Sequence, residues 1–191
     1  MLTADELGEV IEAGRRSLFR LEILGRYEVA TDGSDYRRWL DGEPEPTWSR
    51  KQPWLDYLRR EAAGGRRRQR VRVIHDPPTD YERFACEWGY ALNTQAGEEV
   101  RVLDLAQTEL PQEALAISRD FWLIDDERVV LMHYGDDATF LGAELLEPGE
   151  AVPYRAAREA AWRAATDFGP WWAANPRFHG DKPASSTERT R

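Results

Sequence analysis

Arg70-Val71-Arg72-Val73-Ile74-His75 runs into Asp76-Pro77-Pro78, then a helical pattern from Thr79 to about Leu92, then Ala96-Gly97 ahead of Glu99-Val100-Arg101-Val102-Leu103. Charged and β-branched residues alternate over the first stretch, the period of a strand, and the prolines close it. Thr79 or Asp80 supplies a helix cap. Tyr81, Phe84, Ala85 and Trp88 follow at helical spacing on one face, with Glu82, Arg83 and Glu87 elsewhere. Ala96-Gly97 turns the chain into a second strand. A strand, a helix and another strand within about 35 residues point to an α/β or α+β fold, with a mixed sheet flanked by helices.

Working outward, residues 121–124, 128–134 and 140–146 read as strands, with Asp125-Asp126-Glu127 and Gly135-Asp136-Asp137 in the hairpin positions. Residues 104–119 carry no clear period. Residues 153–168 read as a helix with Pro153 in its first turn. Upstream, Thr3 and Glu6 form a capping-box pattern for a helix over 3–14, and residues 17–24 alternate as a strand. Short helices are expected at 35–40 and 54–63, separated by a proline-containing loop over 43–53 that carries Trp48. The organisation expected is a mainly helical segment at 1–65 packed on an α/β domain at 66–168, a Trp-containing extension at 169–179, and a disordered tail at 180–191.

The chain has 191 residues, of which 41% are apolar and 11% aromatic, enough to bury a core. No run approaches the roughly 20 apolar residues of a membrane span, and the N-terminus lacks a signal-peptide pattern, so a cytoplasmic protein without membrane association is expected. One cysteine, Cys86, removes an intrachain disulfide framework and a multi-cysteine zinc site from consideration. The net charge of −9 is uneven: residues 50–72 carry +7 and residues 119–150 carry −7. A surface of that overall sign disfavours general nucleic-acid binding, while the Arg-rich segment keeps a local phosphate site open.

His75, His133 and His179 form no metal-ligand spacing, so no metal and no cofactor are expected. No nucleophile elbow, P-loop or dinucleotide fingerprint is present. Five sets of residues remain. Tyr81, Arg83, Trp88, Asn93, Arg101 and His133 are expected at strand ends and around one helix, where a ligand pocket would form. His133 or Glu87 is the general-base candidate if the scaffold is catalytic, with Arg83 or Arg101 as anion anchor. Arg66, Arg67 and Arg68 are candidates for phosphate contact, with Trp48 and Trp54 nearby for stacking on bases. Arg70 and Arg72 share a strand face that needs acids, for which the acidic hairpin region is the candidate source. Trp171 and Trp172 either fold back onto the domain or form a partner patch.

Two stretches carry a family resemblance: residues 70–103, through Trp88-Gly89-Tyr90, Asn93 and Ala96-Gly97-Glu98, and Phe121-Trp122-Leu123-Ile124-Asp125-Asp126 through Met132-His133-Tyr134 to Leu141-Gly142-Ala143-Glu144. Together these resemble an uncharacterised actinobacterial family of domain-of-unknown-function proteins, over about residues 19–162. Members of that family are often encoded beside helix-turn-helix regulators, so the resemblance implies a regulatory or accessory association. The order of elements also resembles one half of a phospholipase-D-like domain. There the strand before the Asp turn would carry the catalytic His and Lys, and Phe121-Trp122-Leu123 has neither.

The leading expectation is a non-enzymatic ligand- or partner-binding accessory protein in bacterial regulation, its partner a protein (a helix-turn-helix regulator among them) or a small ligand. An enzyme on the same scaffold and a nucleic-acid-associated module using residues 66–72 are the alternatives.

Overall fold

A computed structural model describes residues 1–28 and 33–179. The expected disordered tail lies outside the described residues. Strands β1 (Ser17–Glu22), β2 (Arg67–Ile74), β3 (Glu99–Asp104), β4 (Phe121–Ile124), β5 (Arg128–Tyr134), β6 (Phe140–Leu145) and β7 (Thr166–Asp167) form one sheet in the order β6-β5-β4-β1-β2-β3-β7. β1, β2 and β3 are parallel neighbours, and the other pairings are antiparallel. The sheet is therefore mixed, as the strand–helix–strand pattern implied.

Strand alternation gives the sheet two chemically different faces. Phe19, Leu21, Val71, Val73, Leu103, Phe121, Leu123, Val129 and Leu131 point to one side. There they meet α6 (Gln112–Ile117) and α7 (Ala151–Ala164), whose Ala114, Ala157 and Ala161 allow close approach. This layer is a largely apolar core.

The opposite face is different. Its rows carry Leu18, Arg20 and Glu22 on β1 and Arg68, Arg70, Arg72 and Ile74 on β2, all with little or no exposure except the partly exposed Arg70. Helices cover it: α1 (Ala4–Glu12), α3 (Trp48–Ala63), and the chain of α4 (Asp80–Phe84), a π-helical turn (Ala85–Tyr90) and α5 (Ala91–Gln95). α1 opens with the Thr3–Glu6 capping box and packs on Leu18, Trp122 and Val130. α8 (Phe168–Ala174) places Phe168 and Trp171 against Tyr90, Val100 and Val102. α2 (Gly33–Leu40) leans Tyr36 and Trp39 on Phe84.

Several elements differ from the sequence reading. α3 starts at Trp48 and includes Pro53, so the expected loop ends sooner. Proline removes one N–H from the ladder without ending this helix. The helix after Thr79 widens at its centre into the π turn, where the Ala91 N–H bonds to the Cys86 carbonyl five residues back. A short helix, α6, occupies part of 104–119. The C-terminal helix ends at Ala164, and a two-residue strand separates it from α8.

Candidate functional site

Three arginines side by side on one strand face need partners if that face is covered. The acids come from neighbouring elements, and this corrects the expectation that the 119–150 hairpin region supplies them. Glu22 on β1 pairs with Arg70 and with Arg20 Nε at 2.8 Å, and accepts from the Tyr90 hydroxyl at 2.7 Å. Glu98, just before β3, takes Arg70 Nε at 2.9 Å and the Asn93 amide at 2.7 Å. Glu82 on α4 takes Arg72 Nη2 at 3.3 Å and His75 Nδ1 at 2.7 Å, while Arg72 Nη1 donates to the Tyr27 hydroxyl at 3.1 Å. Glu61 on α3 holds both Arg66 (2.6 Å) and Arg68 (2.7 Å).

Burial opposes ionisation of Glu22, yet the guanidinium groups of Arg70, Arg20 and Arg72 hold its carboxyl well below the usual range. Asp120 behaves oppositely: burial pushes its carboxyl up, against Arg20 at 3.7 Å and hydrogen bonds from Tyr27 and the Ile23 N–H. The Tyr27 and Tyr90 phenols are raised first by burial and then by Asp120 and Glu22 respectively. The covered face is thus an ionic layer with most of its groups satisfied.

A cleft of about 590 Å³ opens above this layer, between α3 and the π turn. Glu22, Arg70 and Tyr90 form its floor. Pro46, Arg50, Lys51 and Trp54 line one wall, and Tyr81, Phe84, Trp88 and Asn93 line the other. Asn93 Oδ1 joins the walls by accepting from Lys51 Nζ at 3.0 Å and Trp54 Nε1 at 3.3 Å. At the rim, Arg50 Nη2 meets Asp35 at 3.0 Å. The volume falls within the range of small-molecule sites, and a few polar groups converge between aromatic walls. Pi turns inside helices recur at such places.

Of the six residues expected around a pocket, the structure gathers Tyr81, Trp88 and Asn93. Arg83 stands on α4 outside this lining. Arg101 lies on the other sheet face, bonded to Asp167 at 2.8 Å and stacked over Trp162. His133 follows Leu131 towards that other face and meets Glu144 at 3.2 Å. It borders a second, more open cleft of about 610 Å³ formed by loops around Asp120, Gly135 and Asp137. Glu87, the other general-base candidate, accepts from Trp39 Nε1 at 2.7 Å. His133 and Glu87 therefore do not converge.

Arg66 and Arg68 share Glu61, and Arg67 reaches Glu99 at 3.2 Å. Trp54 faces the Arg68 guanidinium at 5.3 Å. Trp48, at the start of α3, bonds to Glu45. Trp171 folds back, buried, with its indole N–H on Asp104 at 3.0 Å, and Trp172 stacks on Phe168 and His179. The fold-back alternative describes both tryptophans, and the burial of Trp171 removes it from any surface patch. Among the described residues no group of three or more His, Cys, Asp or Glu side chains is placed to hold a metal ion. No described helix is long and apolar enough to cross a membrane.

Sequence reasoning missed Glu22, Lys51 and Arg70 as cleft residues, while Tyr90 stood with Trp88 as a candidate stacking surface. Glu22 and Arg70 are adjacent in space only through the parallel β1–β2 pairing, where Glu22 registers with Arg72. The one sequence signal for Arg70 was the unpaired look of arginines alternating with valines on β2.

The model of one protein family, a domain of unknown function designated DUF6879, matches residues 5–173. The chain belongs to the DUF6879 family. The match spans every element from α1 into α8, so the ionic layer and the cleft both lie within the DUF6879 domain. No curated protein matches the chain.

Proposed function

We propose that this DUF6879 domain is a non-enzymatic accessory module of bacterial regulation that binds a small ligand in the cleft between α3 and the π turn. The observation that carries the reading is the cleft itself: aromatic walls over a floor of buried, hydrogen-bonded charges from β1, β2 and the π turn. Buried ion networks are costly compared with an apolar core of the same shape. One that lies directly beneath a concave opening has a use that a stability role alone does not explain. Ligand occupancy would then be read by a protein partner.

A catalytic reading has less support. Of the two alternative bases, Glu87 is held by the Trp39 indole and His133 meets Glu144, and neither lines the cleft between α3 and the π turn. A nucleic-acid reading through Arg66, Arg67 and Arg68 has to contend with Glu61 and Glu99.

The test is a thermal-shift screen of the whole chain against a small-metabolite library, repeated with Trp54→Ala and Lys51→Met. A ligand present at about 100 times its Kd stabilises the fold by about 2.7 kcal/mol, which is readily seen in a melt. The reading expects hits whose shifts vanish in both variants. Hits that persist unchanged in both variants would place the binding elsewhere and contradict it.

A further inference from the structure

We infer that the cleft takes an uncharged aromatic molecule that packs against Gly89; this rests on the reading of the cleft as the ligand site. The charged side chains of the lining, Glu22, Asp35, Arg50, Lys51 and Arg70, are all engaged within the protein. Arg70 places Nε and Nη2 on Glu98, both at 2.9 Å, and Nη1 on Glu22. Glu22 also pairs with Arg20 and accepts from the Tyr90 hydroxyl. Asp35 accepts from the Thr47 hydroxyl at 2.6 Å and pairs with Arg50 at 3.0 Å. Lys51 Nζ donates to Asn93 Oδ1 at 3.0 Å, and the nitrogen of that amide is fixed on Glu98 at 2.7 Å.

A ligand charge of either sign would give up its water on entering this lining. It would then have to break one of these bonds or stay without a counter-charge. An uncharged molecule meets neither penalty. The rings of the lining favour one that is aromatic. Phe84 stands edge-on to Trp88 at 6.0 Å and tilted to Tyr81 at 5.8 Å, so the wall on the π-turn side is a run of three touching rings. A further ring placed against them gains edge or offset contacts beyond the apolar area it buries.

Gly89 marks the seat. It lies in the π turn between Trp88 and Tyr90 and lines the cleft with them. Its φ is not positive, so the backbone there makes no demand for glycine. A Cβ at this position would meet no atom outside its own helical turn within 4 Å, so close packing makes none either. Glycine inside a helix costs stability relative to alanine. What its missing side chain provides is room in the lining, where the edge of a ligand ring can reach the helix backbone.

Isothermal titration of the full chain with three compounds that share one ring tests this: indole-3-acetamide is uncharged, indole-3-acetate anionic and tryptamine cationic. The amide is expected to bind about tenfold or more tightly than either charged analogue. Gly89→Ala should weaken amide binding and Gly89→Leu should abolish it, with melting temperatures at or above that of the parent chain. A lower melting temperature in Gly89→Ala would show that the fold itself requires this glycine and would overturn its role as the seat. A charged analogue that binds as tightly as the amide, and loses that binding in Gly89→Leu, would overturn the inference while leaving the cleft reading intact. Absence of amide binding to the parent chain would also overturn it. Amide binding unchanged in both Gly89 variants would place the ligand outside the cleft, and the underlying reading would fail with it.

Discussion

Glu22 is surrounded by Arg20, Arg70 and Arg72 in a largely buried layer. Replacing its carboxylate by the neutral amide in Glu22→Gln leaves three buried guanidinium groups short of a counter-charge. The expected cost is about 3 kcal/mol in urea unfolding near neutral pH. Because folding lowers the Glu22 pKa, the unfolded chain takes up this proton first as pH falls below the ordinary carboxylate value of 4.5. Stability supplied by Glu22 is therefore present above that value and is lost towards the folded pKa. Asp120 works in the opposite sense. Its folded pKa is raised above 3.8, so its contribution grows as pH falls through the folded value and is complete below 3.8. Asp120→Asn should consequently steepen the acid limb of the stability curve, and Glu22→Gln should flatten it, both followed by denaturant midpoints between about pH 6 and pH 3. Cys86 gives a further prediction at this scale. It is buried, and burial pushes its thiol well above the usual range. A disulfide reagent should leave it unmodified in the folded protein and label it only on unfolding; rapid labelling without unfolding would contradict the packing. The sequence showed that Arg70 and Arg72 share a face. It could not show their partners, because Glu22, Glu82 and Glu98 reach them through parallel pairing and helix docking, which no local pattern encodes.

The elements between β2 and β3 determine the shape of the cleft. Thr79 forms a capping box with Glu82 and also donates its hydroxyl to the Gly25 carbonyl at 2.6 Å. Thr79→Ala should cost about 1–2 kcal/mol, and Thr79→Ser should recover most of it. The π turn then changes the helical register. Residues five apart on a regular α-helix are separated by about 140° around the axis, yet Trp88 and Asn93 line the same cleft. The sequence reading placed Tyr81, Trp88 and Asn93 around one continuous helix and its exit, and the structure brings these three side chains to one cleft. Periodicity carries no signature of a π insertion, since it differs from an α-helix by a single residue. Gly97 fixes the approach to β3: its φ is +107°, and a Cβ there would lie 2.7 Å from the Ala62 Cβ on α3. Gly97→Ala should therefore destabilise the fold by about 2 kcal/mol and loosen the α3 wall of the cleft, read from the urea midpoint. The start of α3 at Trp48 was hidden by Pro44, Pro46 and Pro53, which locally argue for a loop. Packing of Leu55 and Leu58 beneath the helix outweighs that preference.

Across the whole molecule, one sheet separates a largely apolar core under α6 and α7 from an ionic layer under α3 and the π turn. The strand–helix–strand pattern and the hairpins made the mixed sheet legible, because period-two alternation depends on local burial alone. The candidate site was legible only in its helical half. Arg101 and His133 sit in strands of the same sheet, but their positions along β3 and β5 turn them to the other side. The +7 segment is largely neutralised within the fold by Glu22, Glu61, Glu98 and Glu99, so net charge along the chain gave little guide to the surface. The central claim is that the cleft between α3 and the π turn is where this DUF6879 domain meets its ligand. The eight tryptophans provide the most direct test, since each indole N–H is a separate reporter in a nitrogen-15 correlation spectrum. With the strongest stabiliser from the thermal-shift screen, the account predicts that the Trp54 and Trp88 indole resonances move first and furthest, while those of Trp162 and Trp171 stay in place. Leading shifts at Trp162 or Trp171, with Trp54 and Trp88 unmoved, would contradict it.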